Sequence, residues 1–469
     1  MRRRAALTGA LVALAVVAAA APAPGAGGPE PDSSDHRASP PGGGSRNEPT
    51  IAIHPRNPLV IASASHEYLN SQTIVSANLS LDGGVTWPHR AQLPSLGNAP
   101  WTGDPHVAYD AGGRLHAAYL SVRVGNLGVD YSTGGVVVAR SADGRRWPSR
   151  PTVVVQNRKG ASGCAFADFP ALAADPRPAF RDRLYVAWQS LEYDDADCSE
   201  GYRHPVYLAR SADGGRTWSP PVKAPLAVHL YPYIPTLTVG PAGHVHLTLA
   251  SSPAESSNRC ASMGQIDVHV LTSTDGGRSL RDSVALDGVC TPGIVHAGPV
   301  GVNSLTGGTW RLPASTNTAV DARSGTLVTV VGAQDPSTRQ LVVHVAASDD
   351  GGTSWVRADD VPVPRIDNAH FPRIAAGPHG MALLYLAQRP GGSFVAHGTY
   401  SRDAGATWAP PTALATAPSV LPHPVMLGFI GDYLGLAVGR DGLAHPVWTD
   451  LRELGTGQSQ AIYTRSFRT

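Results

Sequence analysis

Lysine is almost missing from this chain of 469 residues: Lys159 and Lys223 stand alone beside a large set of arginines. The 37 basic residues balance 36 acidic ones, for a formal net charge of +1. That balance gives no electrostatic pull toward nucleic acid or an anionic membrane. Cysteine is scarce, with Cys164, Cys198, Cys260 and Cys290, and their spacing matches no zinc pattern such as CxxC. Beyond the N-terminus no stretch is apolar for long enough to span a bilayer. Long helix-period stretches are missing too, and so are a nucleophile elbow, a phosphate-binding loop and a zinc-protease motif.

What is present begins with MRRRAALTGALVALAVVAAAAPAPG. Three arginines, a short apolar run and a small-residue exit read as a secretory signal over residues 1–26, with cleavage expected among Ala19 to Ala26. Residues 27–46 are rich in Pro, Gly and Ser, a composition that predicts a disordered leader. Residues 47–469 then form the folded domain. An even cysteine count in an exported chain implies disulfides, and sequence order pairs Cys164 with Cys198 and Cys260 with Cys290. The expected setting is extracellular, with no membrane attachment after cleavage.

One eight-residue pattern recurs. SADGGRTW (Ser211–Trp218) has relatives in SLDGGVTW, SADGRRW, STDGGRSL, SDDGGTSW and SRDAGATW. Their aspartates are Asp82, Asp143, Asp213, Asp275, Asp350 and Asp403, separated by 61, 70, 62, 75 and 53 residues. Each copy follows an alternating apolar run and precedes another extended segment, so it sits on a hairpin turn. Asp and Ser side chains accept backbone N–H bonds there, and Gly supplies positive φ. A second hairpin precedes each copy, as in Pro105–Leu120, Pro235–Ala250 and Pro372–Ala387, and a seventh such hairpin, Leu434–Trp448, has no copy after it. Four strands per unit, seven times, predict an all-β β-propeller of four-stranded antiparallel blades. The last unit takes its fourth strand from the N-terminal segment or lacks one.

These six boxes are similar to the Asp-box, or bacterial neuraminidase, repeat, and residues 48–469 resemble the sialidase superfamily of propellers. The resemblance implies six blades, the alternative to the seven counted here. It also implies an active site on the face away from the boxes, where first strands begin and second strands end. Sialidases pair a Tyr nucleophile with a Glu, use an Asp acid/base and clamp the sugar carboxylate with three Arg, a geometry that suits the planar guanidinium. Carried over to this chain, Asp104 or Asp168 would be the acid/base. Tyr68 beside Glu67, or Tyr433 beside Asp432, would be the nucleophile pair. Arg123, Arg389 and Arg452 would form the clamp, with Trp448, Asp450, Glu192 and His370 as further sugar contacts. The Phe/Tyr-Arg-Ile-Pro motif of that family is not found in the first blade, and FPRIAA around Arg373 has another order in another blade.

The function implied is a secreted, sialidase-like exo-glycosidase acting on extracellular glycans, the alternative being a non-catalytic propeller that binds a glycan or a protein partner. No cofactor and no metal are expected. His244 and His246 share one face of a strand, but two structural histidines explain them better than a metal pair with no third ligand. The acidic loop Glu192–Glu200 lacks an EF-hand pattern and reads as a solvated loop closed by Cys198.

Overall fold

A computed structural model of the chain describes residues 31–41, 44–69, 72–125, 128–226, 230–253, 260, 264–291, 302–303, 310–311, 314–365, 367–420, 429–453 and 460–469. Expected alternation of apolar and polar residues becomes seven four-stranded antiparallel sheets. Blade 1 runs Ser45–Ile53, Ile61–Leu69, Gln72–Ser80 and His89–Gln92. Blade 2 runs Trp101–Tyr109, Leu115–Gly125, Gly128–Ser141 and Thr152–Gln156. Blade 3 has Gly163–Ala174, Leu184–Tyr193, Val206–Ser211 and Val222–Lys223, with Arg158–Gly160 added at the first strand. Blade 4 has Leu230–Val239, Val245–Pro253, Gly264–Ser273 and Val284–Thr291. Blade 5 has Thr316–Val320, Leu327–Gln334, Leu341–Ser348 and Val356–Arg357. Blade 6 has Asn368–Ala376, Met381–Gln388, Ser393–Ser401 and Thr412–Ala413. The count is seven, not the six that the sialidase resemblance implies.

Blade 7 contributes Gly435–Val438, Leu443–Asp450 and Ala461–Thr464 from the C-terminal part of the chain. Its fourth strand is His36–Arg37, which pairs with Thr464 and Tyr463. The leader predicted to be disordered is therefore ordered from residue 31 wherever it is described. Its own composition cannot bury a core, but the open edge of a three-stranded blade offers it backbone partners. Asp35 reaches Arg452 at 2.6 Å and accepts from Thr416, while Arg37 meets Glu453 at 2.7 Å. Asp32 accepts from the Ser466 amide at 2.9 Å.

The boxes form one turn, repeated. In the third blade, Asp213 accepts from Ser211 Oγ at 2.8 Å, from the amides of Arg216 and Thr217, and from Thr217 Oγ1 at 2.6 Å. Ser211 Oγ in turn accepts from the Gly215 amide. Asp82, Asp275, Asp350 and Asp403 sit in like turns, and the short box leaves Asp143 with two amides and Ser141. Each turn packs on the blade before it: a Cβ at Gly215 would touch Val138, one at Gly405 would come within 2.9 Å of Val328, and Gly84 faces His445 of blade 7. Trp355 Nε1 donates to Ser283 Oγ of blade 4. The boxes are thus ties between blades.

Two predictions follow from closure and from the ties. Asp35→Ala removes a carboxylate that Arg452 and Thr416 share with the leader, and should cost about 2 kcal/mol in a denaturant melt. An unchanged midpoint would mean that the leader does not close the ring. The second concerns acid. Burial alone would raise Asp213, but the bonds from Thr217, Ser211 and Arg216 hold it at about 2. Its contribution is therefore complete above the ordinary carboxylate range and is lost as pH falls toward 2. Asp213→Ala should lower stability by about 1 kcal/mol at neutral pH, with the difference from the unsubstituted chain vanishing in melts near pH 2.

Candidate active site on the face away from the boxes

The innermost strands break at one place in five blades. Glu48, Asp104, Phe169, Ile234 and Phe371 have φ of 55°, 52°, 48°, 38° and 54°. Each is followed by proline. At the same points the pairing register slips, between Asn47 and Thr50, Gly103 and His106, Asp168 and Ala171, Tyr233 and Thr236, and His370 and Arg373. Proline has no N–H for the ladder and bars the residue before it from helical backbone. The outcome is a bulge that bends the strand and re-aims its side chains. In blade 1, Ile53 pairs with Ile61 and Ile61 with Ser80 of the box, whereas Ser45 pairs with Tyr68 and Tyr68 with Thr73. The breaks thus lie toward the face opposite the boxes.

There the kinks of blades 1 and 2 bring acids together. His66 Nδ1 lies 2.7 Å from Glu48 Oε2, and the Asp104 amide donates to His66 Nε2 at 2.9 Å. With Nε2 accepting, the ring proton sits on Nδ1 and faces Glu48. Gly103 makes the approach possible, since a Cβ there would come within 2.2 Å of His66 Nε2. The Asp432 amide donates to Glu48 Oε1 at 3.2 Å, and Tyr433 donates its hydroxyl to the Pro105 carbonyl at 3.1 Å. Tyr68 lies over the group, its hydroxyl 3.3 Å from Asn47 Oδ1 and 3.4 Å from His66 Nδ1. Asn47 is fixed from behind by Gln460 at 3.0 Å.

Charge at this mouth has one sign. Burial raises the Asp104 carboxyl well above the usual range, and Glu48, Asp168 and Asp432 raise it further, together with a hydrogen bond to Asp168. Burial, then Glu48 and Asp104, also raises the phenols of Tyr68 and Tyr433. Asp104 thus keeps its proton where an isolated aspartate would be ionised, beside a second aspartate able to share it. A held proton next to a carboxylate is the raw material of general acid/base chemistry.

Of the residues singled out in the sequence, Asp104, Asp168, Tyr68, Asp432 and Tyr433 belong to this group. Glu67 does not. Strand alternation turns it away from His66 and Tyr68, between Arg46 at 2.7 Å and Arg90. Burial would raise its carboxyl, but these two guanidiniums hold it low. Arg452 is likewise committed: Asp450 takes it through two bonds of 2.9 and 2.7 Å, Asp35 through a third contact, and Tyr463 lies under its face at 4.2 Å. Trp448, 1% exposed, gives its indole N–H to Asp450. Arg123 and Arg389 are exposed on blades 2 and 6. Glu192 accepts from Tyr207 at 2.9 Å with Arg203 nearby, and His370 is buried against Gln388, where burial lowers it to about 4.

Glu48 and His66 carried no assigned role in the sequence. The signal that finds Glu48 is the repeated step of a first-strand residue before proline, which puts it in register with Asp104, while His66 follows from the second-strand register opposite Asn47. Glu48, His66 and Asp104 each offer a ligand atom within 4.8 Å of the others. His66 Nε2 already accepts from the Asp104 amide, which leaves only Nδ1, beside Glu48 Oε2, to face a ligand. His246 is buried against Thr272 Oγ1 at 3.0 Å, and Asp195 in the acidic loop is used by Ser199 and Glu200. The structure joins Cys164 to Cys198 across the loop side of blade 3, and Cys260 to Cys290 beside blade 4.

Six tied boxes on one face and a carboxyl-rich mouth on the other define an Asp-box propeller of the sialidase-like kind. The BNR repeat-like domain family matches residues 183–425, and the chain belongs to that family. No curated protein matches it in sequence. Among solved structures it is similar to a Dyadobacter fermentans protein of unknown function, at 16% identity and TM-score 0.50 over 80% of this chain and 97% of that one. It is similar to a Penicillium chrysogenum α-L-arabinanase complexed with arabinobiose, at 12% identity and TM-score 0.50 over 93% and 98%. A third is the GH93 α-L-arabinofuranosidase of Fusarium graminearum with arabinobiose, at 14% identity and TM-score 0.51 over 79% and 97%. At such identities the likeness is one of fold.

The placement of Glu67 is directly testable. Glu67→Gln leaves Arg46, 2% exposed, without its counter-charge, and should cost about 3 kcal/mol in a denaturant melt. A variant as stable as the parent would remove Glu67 from the ion triad and return it to the list of reacting groups.

Proposed function

We propose that the mouth opposite the boxes is a glycoside hydrolase site in which Asp104 donates the proton to the leaving oxygen. Glu48, Asp168 and Asp432 supply the carboxylates that such chemistry needs beside it. The observation that carries this reading is the gathering of Glu48, His66, Asp104 and Asp432 at the mouth, where burial and the neighbouring carboxylates raise the Asp104 carboxyl. The arabinose-containing ligands named for two structural neighbours point to the same class of substrate, a glycan.

The sugar we infer is uncharged. The groups that dominate the potential at Asp104 are all carboxylates, which would repel an acidic sugar. Arg452, offered in sequence as a clamp for a sialic acid carboxylate, already serves Asp35 and Asp450. Tyr68 and Tyr433 are held protonated, which disfavours them as nucleophiles unless a base removes the proton. Export remains part of the reading, supported by the arginine-led apolar N-terminus and by two disulfides.

A second reading is favoured by one feature. Tyr193, Tyr202, His204 and Tyr233 follow one another at ring separations of 5.0, 4.3 and 6.2 Å, and His204 is held at 2.6 Å by Gln189, the strand partner of Asp168. Aromatic faces are what sugars stack on, so this run suits a propeller that binds a glycan without cleaving it.

The two readings separate on a panel of nitrophenyl glycosides, α-L-arabinofuranoside and a sialoside included. Hydrolysis of a neutral glycoside is expected, falling as pH rises through the raised Asp104 pKa because the proton donor is lost. Asp104→Asn should lower kcat/KM by about 10²–10⁴-fold and remove that limb. Full activity in Asp104→Asn would end the acid assignment. Glycan-array binding without turnover would favour the second reading, and sialoside turnover would refute the neutral-sugar inference.

A further inference from the structure

A cavity of about 390 Å³ fills the central channel on the box side of the strand breaks. Thr50, His106, Thr236 and Arg373 line it, each two residues beyond a break, together with Asn317 of blade 5. It extends to Pro241 and Gly377, in turns between first and second strands. Those turns are on the box side: Val320 pairs with Leu327, and Leu327 with Ser348 of a box.

Arg373 is a cation with unused donors. Its Nε donates to the Leu434 carbonyl at 2.8 Å, while among the described residues no protein acceptor meets Nη1 or Nη2 and no carboxylate pairs with it. Burial lowers it to about 10, with Tyr433 opposing. His106 faces the same space, and its Nδ1 is buried without a hydrogen-bond partner. Thr50 Oγ1 accepts from the Val107 amide, which leaves its hydroxyl proton to give. The acids of the inner turns do not neutralise Arg373, because Asp175 is held by Arg177 and Arg183, and Asp321 by Arg323. Arg373 is half-buried against this cavity without a counter-charge, and its fork matches two oxygens of one anion.

We propose that this cavity is a second ligand site, separate from the acid mouth, which takes an oxyanion: a phosphate, sulfate or carboxylate group seated on the Arg373 fork, with His106 and Thr50 as further donors. Entry is from the box face, so the ligand need not pass the glycan site. The site stands or falls independently of hydrolysis, since its readout is binding.

The experiment is calorimetric titration of the full chain with inorganic phosphate, and separately with sodium acetate, at constant ionic strength balanced with chloride, alongside melts in the same buffers. Saturable one-site binding and a rise in Tm are expected with at least one anion, and which one responds distinguishes phosphate from carboxylate recognition. Arg373→Met should abolish both signals. Arg373→Lys, which keeps the charge but not the fork, should bind at least tenfold more weakly. No saturable heat with either anion in the unsubstituted chain would overturn the proposal, and so would an Arg373→Met variant that binds as well. If Arg373→Met does not fold, an unchanged affinity in Arg373→Lys overturns it alone.

Discussion

Seven strands cannot run straight into one axis. Each innermost strand of this ring must keep its hydrogen-bonded ladder on the outer side and still find room near the centre, and five of the seven solve this with a left-handed residue followed by proline. Such backbone costs about 1–3 kcal/mol per position. What holds it is the blade around it, since pairing resumes on both sides of every break. The same bend decides what the centre contains. Where the kinked residue is Phe169, Ile234 or Phe371 it adds bulk, and where it is Glu48 or Asp104 it adds a carboxyl with little access to water. The gathering of carboxyls at the mouth is therefore a by-product of how the strands converge.

Convergence needs a closed ring, and closure here uses residues from both chain ends. His36–Arg37 completes blade 7, and Asp35 shares Arg452 with Asp450. Arg452 is thus better understood as a clasp than as a sugar ligand, because oxygens of Asp450, Asp35 and Thr416 already satisfy its fork. The boxes act at the next level out. Each lays a glycine of its turn against the preceding blade, so a substitution in one turn is felt by two blades. Blade 7 has no box, and its stability leans on the leader instead.

Much of this was legible in the sequence, and the rest was hidden for identifiable reasons. The blade count came from hairpins such as Leu434–Trp448, whose period needs no tertiary information. Asp104, Asp168 and Asp432 were found because topology alone brings first-strand starts to one axis. Glu67 was misplaced by one position: strands alternate faces, and only the register shows that His66 and Tyr68 point to the mouth while Glu67 points into the blade between two arginines. The leader was misread because its order comes from a partner more than 400 positions away, which no local composition can reveal. Arg452 looked like a free cation for the same reason, its counter-charge Asp35 lying in that leader.

Along the axis the charges are sorted rather than paired. The acids Glu48 and Asp104 stand at the breaks, Asp432 gives its amide to Glu48 beside them, and Arg373 and His106 stand one alternation below, about 7 Å further along their strands. An ion pair between the two layers would lower the Asp104 carboxyl, yet the influences that dominate it are burial and other acids. Tyr433 sits between them and feels both: burial raises its phenol most, Glu48 and Asp104 raise it further, and Arg373 lowers it. Its hydroxyl is tied to Pro105, next to Asp104, and the following residue, Leu434, gives its carbonyl to Arg373. A layer of phenol and backbone therefore keeps the cation from quenching the acid cluster. Without that separation the Arg373 guanidinium would favour the ionised Asp104 carboxylate, so the raised carboxyl depends on the positive charge being held in its own layer.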